Sequence, residues 1–244
     1  MKTSNKLLFT AIIAVVVSLF FYDLWMRSSF LKGDYKKPYK DFVSLNFKDF
    51  KTIDLRSETA ANIIVTQGPF SVKMSPDGES FVKVSQNADT LRIASAFPHD
   101  YFGSSEPYVL VISCPNLARL ITDSRYTAGA RLVIDSVAGE DFSWRTTIVS
   151  GFKQDSLSII AQHGCTLMLK NNHIKSLNAT IGVGARCRSN LTILSDNHFG
   201  NANLNILNNS QLRLYKASIT RLNYKLADSA RLIVYGGADS VLKK

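Results

Sequence analysis

The most regular feature of the chain after residue 45 is an alternation of apolar and polar positions with a period of two. Residues 53–55, 72–74, 82–84 and 91–93 each show it. Such alternation is typical of a strand with one buried face and one solvated face. Gly, Pro, Asn and Asp residues separate these stretches, as they do in turns. The pattern therefore predicts an all-β domain over residues 46–244.

The second half of the chain also repeats itself. Five stretches begin with two small or turn-forming residues and carry an apolar residue at the fourth position. They begin at Gly129, Gly164, Gly184, Asn209 and Ser229. A unit of this size cannot bury its apolar face alone, whereas stacked units share a continuous core. The repeat predicts a single-stranded β-solenoid (parallel β-helix-like), and a β-sandwich is the alternative because it also needs many short strands.

The repeat makes predictions about individual positions. We expect the fourth-position residues Leu132, Leu167, Leu212 and Leu232 to stack in one inner column. A further Leu lies seven residues before three of the starts and opens a second strand in each unit; these are Leu157, Leu177 and Leu222. Asparagines at residues 171–172, 201, 203 and 208–209 are predicted to form corners, since Asn tolerates left-handed backbone and can stack in ladders.

An apolar run near the N-terminus spans residues 7–22 without a charge and reaches Met26 if Asp23 is included. Twenty helical residues, about 30 Å, match the hydrocarbon core of a membrane. Tyr22 and Trp25 suit the membrane interface. A cleavable signal peptide needs small residues before its cleavage site, but bulky residues follow this run. Residues 1–26 are therefore predicted to be an uncleaved membrane anchor, with export after signal cleavage as the alternative.

Half of the formal charge of +10 lies beside this run, because the first 40 residues hold seven basic and two acidic side chains. Residues 27–45 are predicted to be a basic juxtamembrane linker. A count of flanking charges favours a cytoplasmic domain, whereas the short basic tail is typical of an export signal. We expect a single-pass inner (cell) membrane protein with its C-terminal domain outside the cytoplasm. The mildly basic remainder does not indicate a nucleic-acid partner.

Five parts of the sequence resemble a known family. They are Phe50-x-x-Ile53, the stretches 63–74, 82–84 and 91–93, and the stretch 108–120 followed by Gly129-Ala130. Together these are similar to the auto-transporter adhesin head GIN domain, which is common in Bacteroidetes. The resemblance covers roughly residues 46–240 and implies a stack of β-rungs on an exported protein. It also implies an adhesive role.

The sequence shows no G-x-S-x-G, H-E-x-x-H, P-loop or G-x-G-x-x-G motif. The four histidines are isolated, and the acidic pairs Asp77 with Glu79 and Glu140 with Asp141 flank turns. We therefore predict a non-enzymatic envelope protein, without cofactor or metal, that binds a protein or glycan partner. The alternatives are a carbohydrate-active enzyme on a β-helix and an accessory subunit of an envelope signalling or transport assembly.

Three arginines occupy the third position of their units, next to the inward fourth position. Alternation should turn Arg131, Arg186 and Arg231 outward on one face. Arg binds carboxylate and phosphate in a bidentate way, so this ladder predicts a site for an anionic polymer such as an acidic polysaccharide.

The three cysteines are too few for a disulfide framework. Buried thiols are expected, and a bridge between Cys165 and Cys187 is the alternative because both lie near equivalent points of successive repeats.

Overall fold

The computed structural model describes residues 3–33, 39–99, 108–138 and 146–237. The chain divides into two compact units, residues 1–42 and 43–244. In the first, helix α1 spans Thr3–Leu31. The described strands of the second are β1 (Val43–Leu45), β2 (Thr52–Leu55), β3 (Ile63–Gln67), β4 (Ser71–Met74), β5 (Val82–Asn87), β6 (Thr90–Phe97), β7 (Leu110–Cys114), β8 (Arg119–Thr122), β9 (Arg125–Ala128), β10 (Arg131–Ile134), β11 (Thr147–Ser150), β12 (Lys153–Ala161), β13 (Thr166–Lys170), β14 (His173–Ile181), β15 (Asn190–Ile193), β16 (His198–Ile206), β17 (Gln211–Leu214), β18 (Ser218–Leu226) and β19 (Arg231–Val234).

Helix α1 is long and apolar enough to cross a membrane, with 29 residues and a length of about 44 Å. A signal sequence at this position would meet the same criteria. The rings of Tyr22 and Trp25 lie side by side on its exposed surface, with centroids 6.5 Å apart. The helix continues beyond Met26 to Leu31, so the first five residues of the predicted linker are helical instead. Among the described residues after α1, the one further helix is a 3₁₀ turn at Pro76–Ser80.

The second unit is all-β and consists of two large mixed sheets. The first sheet has the order β1-β4-β7-β3-β11-β13-β15-β17-β19, and the second has the order β10-β9-β6-β2-β8-β12-β14-β16-β18, with β5 paired to β6. Apolar side chains from both sheets form one hydrophobic core. The four alternating stretches predicted as strands, residues 53–55, 72–74, 82–84 and 91–93, lie in β2, β4, β5 and β6, so these predictions are confirmed.

From β11 onward the chain alternates between the two sheets, and each strand pairs in parallel with the strand two positions later. Among β11–β19, the strands of the first sheet have four or five residues, and those of the second sheet have nine. One inner column of the first sheet contains Leu167, Leu191, Leu212 and Leu232. In the second sheet, Leu157, Leu177, Ala202 and Leu222 lie in register. The predicted inner column is thus confirmed for Leu167, Leu212 and Leu232. Leu157, Leu177 and Leu222 were predicted to open their strands, but each is the fifth residue of its strand.

Two assignments within the predicted repeat were wrong. Leu132 lies in β10, which pairs antiparallel with β9 in the second sheet, and its side chain is 58% exposed. In the inner column, the neighbour of Leu167 is Leu191 and not the fourth-position residue Cys187. The reason is the long corner at residues 182–189, which separates β14 from β15, whereas only residues 162–165 separate β12 from β13. The longer corner shifts the register by four residues.

Asparagines form several of the tight corners, as the sequence predicts. Asn171 and Asn208 have positive φ angles of 52° and 53°. Asn172 is fully buried, and its Nδ2 donates to the Val149 carbonyl and to Asn197 Oδ1, both at 3.0 Å. Asn172 and Asn197 thus stack in a buried ladder that satisfies backbone groups at successive corners.

Candidate binding surface

The outward side chains of β14, β16 and β18 form a polar surface on the second sheet. The parallel register aligns Asn178, Asn203 and Asn223 in one column and Thr180, Asn205 and Lys225 in the next. We call these six residues the asparagine face. Since side chains alternate along a strand, the residues between them face the core, and Leu204 is one that is buried.

Hydrogen bonds link the asparagine column from strand to strand. Asn203 Nδ2 donates to Asn178 Oδ1 at 2.9 Å, and Asn223 Nδ2 donates to Asn203 Oδ1 at 3.0 Å. All three side chains are exposed. A side-chain amide has two N–H donors and two acceptor lone pairs. The ladder uses one donor and one lone pair of Asn203, so its amide can still donate to and accept from a ligand.

A shallow hollow of about 740 Å³ lies over this surface and is lined by the whole asparagine face together with Ala179, Leu204, Leu222 and Tyr224. Its described lining contains no Asp or Glu. Hydrolysis of a glycosidic bond needs a pair of carboxyl groups on either side of that bond. The hollow therefore has the chemistry to bind a ligand that both donates and accepts hydrogen bonds.

The structure separates the three arginines of the predicted ladder. Arg131 lies in β10 of the second sheet, whereas Arg231 begins β19 of the first sheet. Arg186 lies in the long corner at residues 182–189, with a φ of 53°. Asn190 occupies the column position predicted for Arg186, between Thr166 and Gln211. The single column is therefore wrong, because the four-residue shift moves Arg186 out of register.

Two of these arginines nevertheless lie at the same hollow. Arg186 and Arg231 line one hollow of about 220 Å³ together with Arg188, Val137, Asn209 and Gln211. The backbone of Arg188 is held by hydrogen bonds of 2.7 Å to Ser136 O and from Ala138 N–H. We call this the arginine hollow. The predicted arginine ladder did not include Arg188.

A buried polar cluster contains a thiol, an imidazole and a carboxylate. His163 Nδ1 lies 2.8 Å from Asp123 Oδ1, and Asp123 also pairs with Arg125. Cys165 Sγ donates to the His163 carbonyl oxygen at 2.8 Å. Burial, and then the nearby Glu58 carboxylate, raise the pKa of the Cys165 thiol. A nucleophilic cysteine needs a thiolate, and this raised pKa disfavours the thiolate of Cys165.

All three cysteines are buried free thiols, as expected. Burial raises the pKa of Cys114 to about 12 and also raises the pKa of Cys187. Cys187 Sγ donates to the Gln162 carbonyl at 3.2 Å. These thiols are protonated at neutral pH.

Two exposed histidines stack at the start of their strands. His173 and His198 share a register position, and their ring centroids are 4.4 Å apart. Sequence reasoning treated these residues as isolated. Within the described parts of the chain, no group of three or more His, Cys, Asp or Glu side chains could hold a metal ion.

Sequence reasoning also missed the asparagine face. It placed residues 201 and 203 in corners, but both lie within β16. The signal was available, because Asn178, Asn203 and Asn223 recur at the intervals of 25 and 20 residues that separate β14, β16 and β18.

No family model and no curated protein matches the chain. Among solved structures, it is 11% identical to a "putative adhesin" from Bacteroides fragilis over 81% of this chain and 99% of that one, with a TM-score of 0.38. It is 12% identical to a "putative lipid binding protein" from Parabacteroides distasonis over 80% of this chain and 94% of that one, with a TM-score of 0.34. A "putative adhesin" from Parabacteroides merdae is 11% identical over 80% and 95%, with a TM-score of 0.27.

Proposed function

We propose that the chain is a non-enzymatic, membrane-anchored binding protein of the cell envelope and that its ligand is a glycan held on the asparagine face. The observation that carries this proposal is the exposed, hydrogen-bonded column of Asn178, Asn203 and Asn223, which lines a hollow of about 740 Å³. A protein partner is the alternative ligand, and it is an outcome of the experiment below.

A glycan suits this surface for three reasons. Sugar hydroxyls donate and accept hydrogen bonds, as asparagine amides do. The strand spacing of about 4.8 Å repeats the same groups at even intervals, which fits a polymer of repeated units. Thr180 adds a hydroxyl group, which also donates and accepts hydrogen bonds, on the same face as these amides.

The finer architecture belongs to the same proposal. The parallel register of β11 to β19 supports a β-solenoid for this part of residues 46–244. The apolar spacings around Ile53 and Gly129 support a relationship to the GIN adhesin heads. In this proposal α1 is the anchor, and the β unit lies outside the cytoplasm.

Two experiments test the anchoring and its orientation. Mass spectrometry of the mature protein should find the original N-terminus, and a start between Ser28 and Asp34 would show signal cleavage instead. A phosphatase fused after Lys244 should be active outside the cytoplasm. An inactive phosphatase, together with an active cytoplasmic reporter at the same position, would reverse the orientation.

The ligand is tested with the full chain in lipid nanodiscs on an array of bacterial and host polysaccharides. We expect binding to at least one glycan and at least a tenfold loss of affinity for Asn203→Ala, which is about 1.4 kcal/mol. Asn201→Ala is the matched control, because Asn201 is exposed on the same strand but does not line the hollow. Both variants should unfold at the wild-type temperature. Binding of a protein and of no glycan, or equal losses in the two variants, would contradict the proposal.

The arginine hollow favours a second candidate, an anionic ligand. Arg186 and Arg231 are exposed and line the same hollow, and guanidinium groups bind carboxylates in a bidentate way. Polygalacturonate is a suitable probe. The double change Arg186→Ala and Arg231→Ala should weaken its binding and reduce its salt dependence, whereas Arg131→Ala should not. Salt-independent binding, or an equal effect of Arg131→Ala, would exclude this candidate.

A further inference from the structure

The last two strands of the chain's stack form an unusual edge. β18 ends the second sheet and β19 ends the first, and no strand in the described parts of the chain pairs with their outer edges. β18 has nine residues, of which seven are exposed. A long edge strand presents a row of backbone N–H and C=O groups that can pair with another strand.

The apolar columns of the core continue into this edge. Leu222, Tyr224 and Leu226 lie in register with Ala202, Leu204 and Ile206 of β16. The β16 residues are at most 2% exposed, whereas Tyr224 is 41% and Leu226 is 39% exposed. Terminal repeats of stacked proteins usually present a polar outer face. This edge keeps the residues of an interior rung, which indicates that something covers it.

Positive charge is added at the same edge. Arg221 and Lys225 of β18 occupy columns in which β16 has Asn201 and Asn205. Arg231 of β19 occupies the column in which β17 has Gln211. Between residues 218 and 235 there is one acidic residue, Asp228. The edge is therefore cationic on its outward side and apolar on its inward side.

We propose that the outer edge of β18 binds an extended segment of a partner protein by strand addition, and that this segment alternates apolar and acidic residues. Its backbone pairs with β18. Its apolar side chains cover Leu222, Tyr224 and Leu226, and its carboxylates face Arg221 and Lys225. A second copy of this chain is a poorer occupant, because it brings the same excess of cations to the contact.

The test uses the full chain in nanodiscs and three fluorescent nine-residue peptides, measured by anisotropy. A peptide of alternating Val and Glu should bind at least tenfold more tightly than one of alternating Val and Lys. In a strand, the amides of alternate residues point to opposite edges. The Val–Glu peptide is therefore N-methylated in two ways, at all of its Val positions or at all of its Glu positions. One of these two peptides should lose binding and the other should keep it.

Protein variants locate the site. The double change Arg221→Glu and Lys225→Glu should reverse the preference to the Lys peptide. Lys170→Glu is the control, because Lys170 is exposed in β13, away from this edge. Asn203→Ala should leave peptide binding unchanged, which separates this proposal from the glycan proposal.

Three results would overturn the inference. If both N-methylated peptides bind as tightly as the parent, the contact does not use the backbone of a strand. If sedimentation shows that the chain dimerises and that Arg221→Glu with Lys225→Glu changes this, the occupant is a second copy. If removal of residues 238–244 increases peptide affinity more than tenfold, the occupant is the chain's own C-terminal segment.

Discussion

Residues 43–134 and residues 147–234 use the same two sheets in different ways. In the second region, short and long strands alternate, all pairing is parallel, and from β13 onward each strand lies beside the strand two positions earlier. In the first region, β1 with β4, β5 with β6 and β9 with β10 pair antiparallel, and β3 lies between β7 and β11. The two regions share one hydrophobic core.

The difference shows when a sequence repeat aligns identical side chains on one surface. In the second region the partner of a residue lies 20 to 25 residues away, so that identical side chains meet, as Asn178, Asn203 and Asn223 do. In the first region Ile64 pairs with Val111 and with Ile148. No fixed interval relates these partners of Ile64.

The sharpest test of this comparison is to place a charge at two Leu residues that the sequence treats alike. Leu212→Glu buries an unpaired carboxylate in the column of the second region and should lower the free energy of unfolding by several kcal/mol. Leu132→Glu, at an exposed position of the first region, should change it by less than about 0.5 kcal/mol. Urea unfolding measures both. Equal effects would mean that the register described for Leu212 or Leu132 is wrong.

A smaller effect is expected at the corners. Gly164 has a φ of 44°, and a Cβ there would overlap the carbonyl oxygen of Asp135. Gly151 has a φ of 78°, but a Cβ there would meet no atom within 4 Å. Gly164→Ala should therefore cost about 3 kcal/mol of stability and Gly151→Ala about 1 kcal/mol. If thermal unfolding ranks them in the opposite order, the close approach of Gly164 to Asp135 is absent in solution.

The two asparagine ladders should differ in their contribution to stability. Asn172→Ala removes buried hydrogen bonds to Val149 and Asn197 and leaves polar groups unsatisfied, at a cost of about 2 kcal/mol. Asn203→Ala removes exposed bonds and should cost less than about 0.5 kcal/mol. Chemical unfolding distinguishes the two. A large loss for Asn203→Ala would mean that the exposed ladder serves stability.

A pH-dependent effect is expected at the buried thiols. Because burial raises the pKa of Cys114 from 9.0 to about 12, the folded state holds this proton more tightly than the unfolded state does. Its contribution to stability is complete below pH 9 and is lost as the pH rises toward 12. Unfolding of Cys114→Ala should therefore depend less on pH in this range. At pH 8, a thiol reagent should modify the three cysteines only after unfolding, and rapid modification of the folded chain would contradict their burial.

The sequence predicts the strands of both regions better than it predicts their partners. Alternation at residues 72–74 and 91–93 depends on local burial, so it can be read directly. The position of Arg186 depends on the length of one corner, which no local pattern reveals, and the pairing of Leu132 depends on a hairpin in the other sheet. The asparagine face could have been found from the intervals of 25 and 20 residues between Asn178, Asn203 and Asn223, since the same intervals separate the repeats that begin at Gly184, Asn209 and Ser229.

The most direct test of the central claim is to observe the asparagine amides while the glycan binds. The side-chain amide signals of Asn178, Asn203 and Asn223 can be assigned by single substitution and followed by NMR as the tightest-binding polysaccharide of the array is added. The account predicts saturable shifts of these three signals, with the signal of Asn201 unchanged. Binding that shifts none of the three would place the glycan elsewhere and contradict the account.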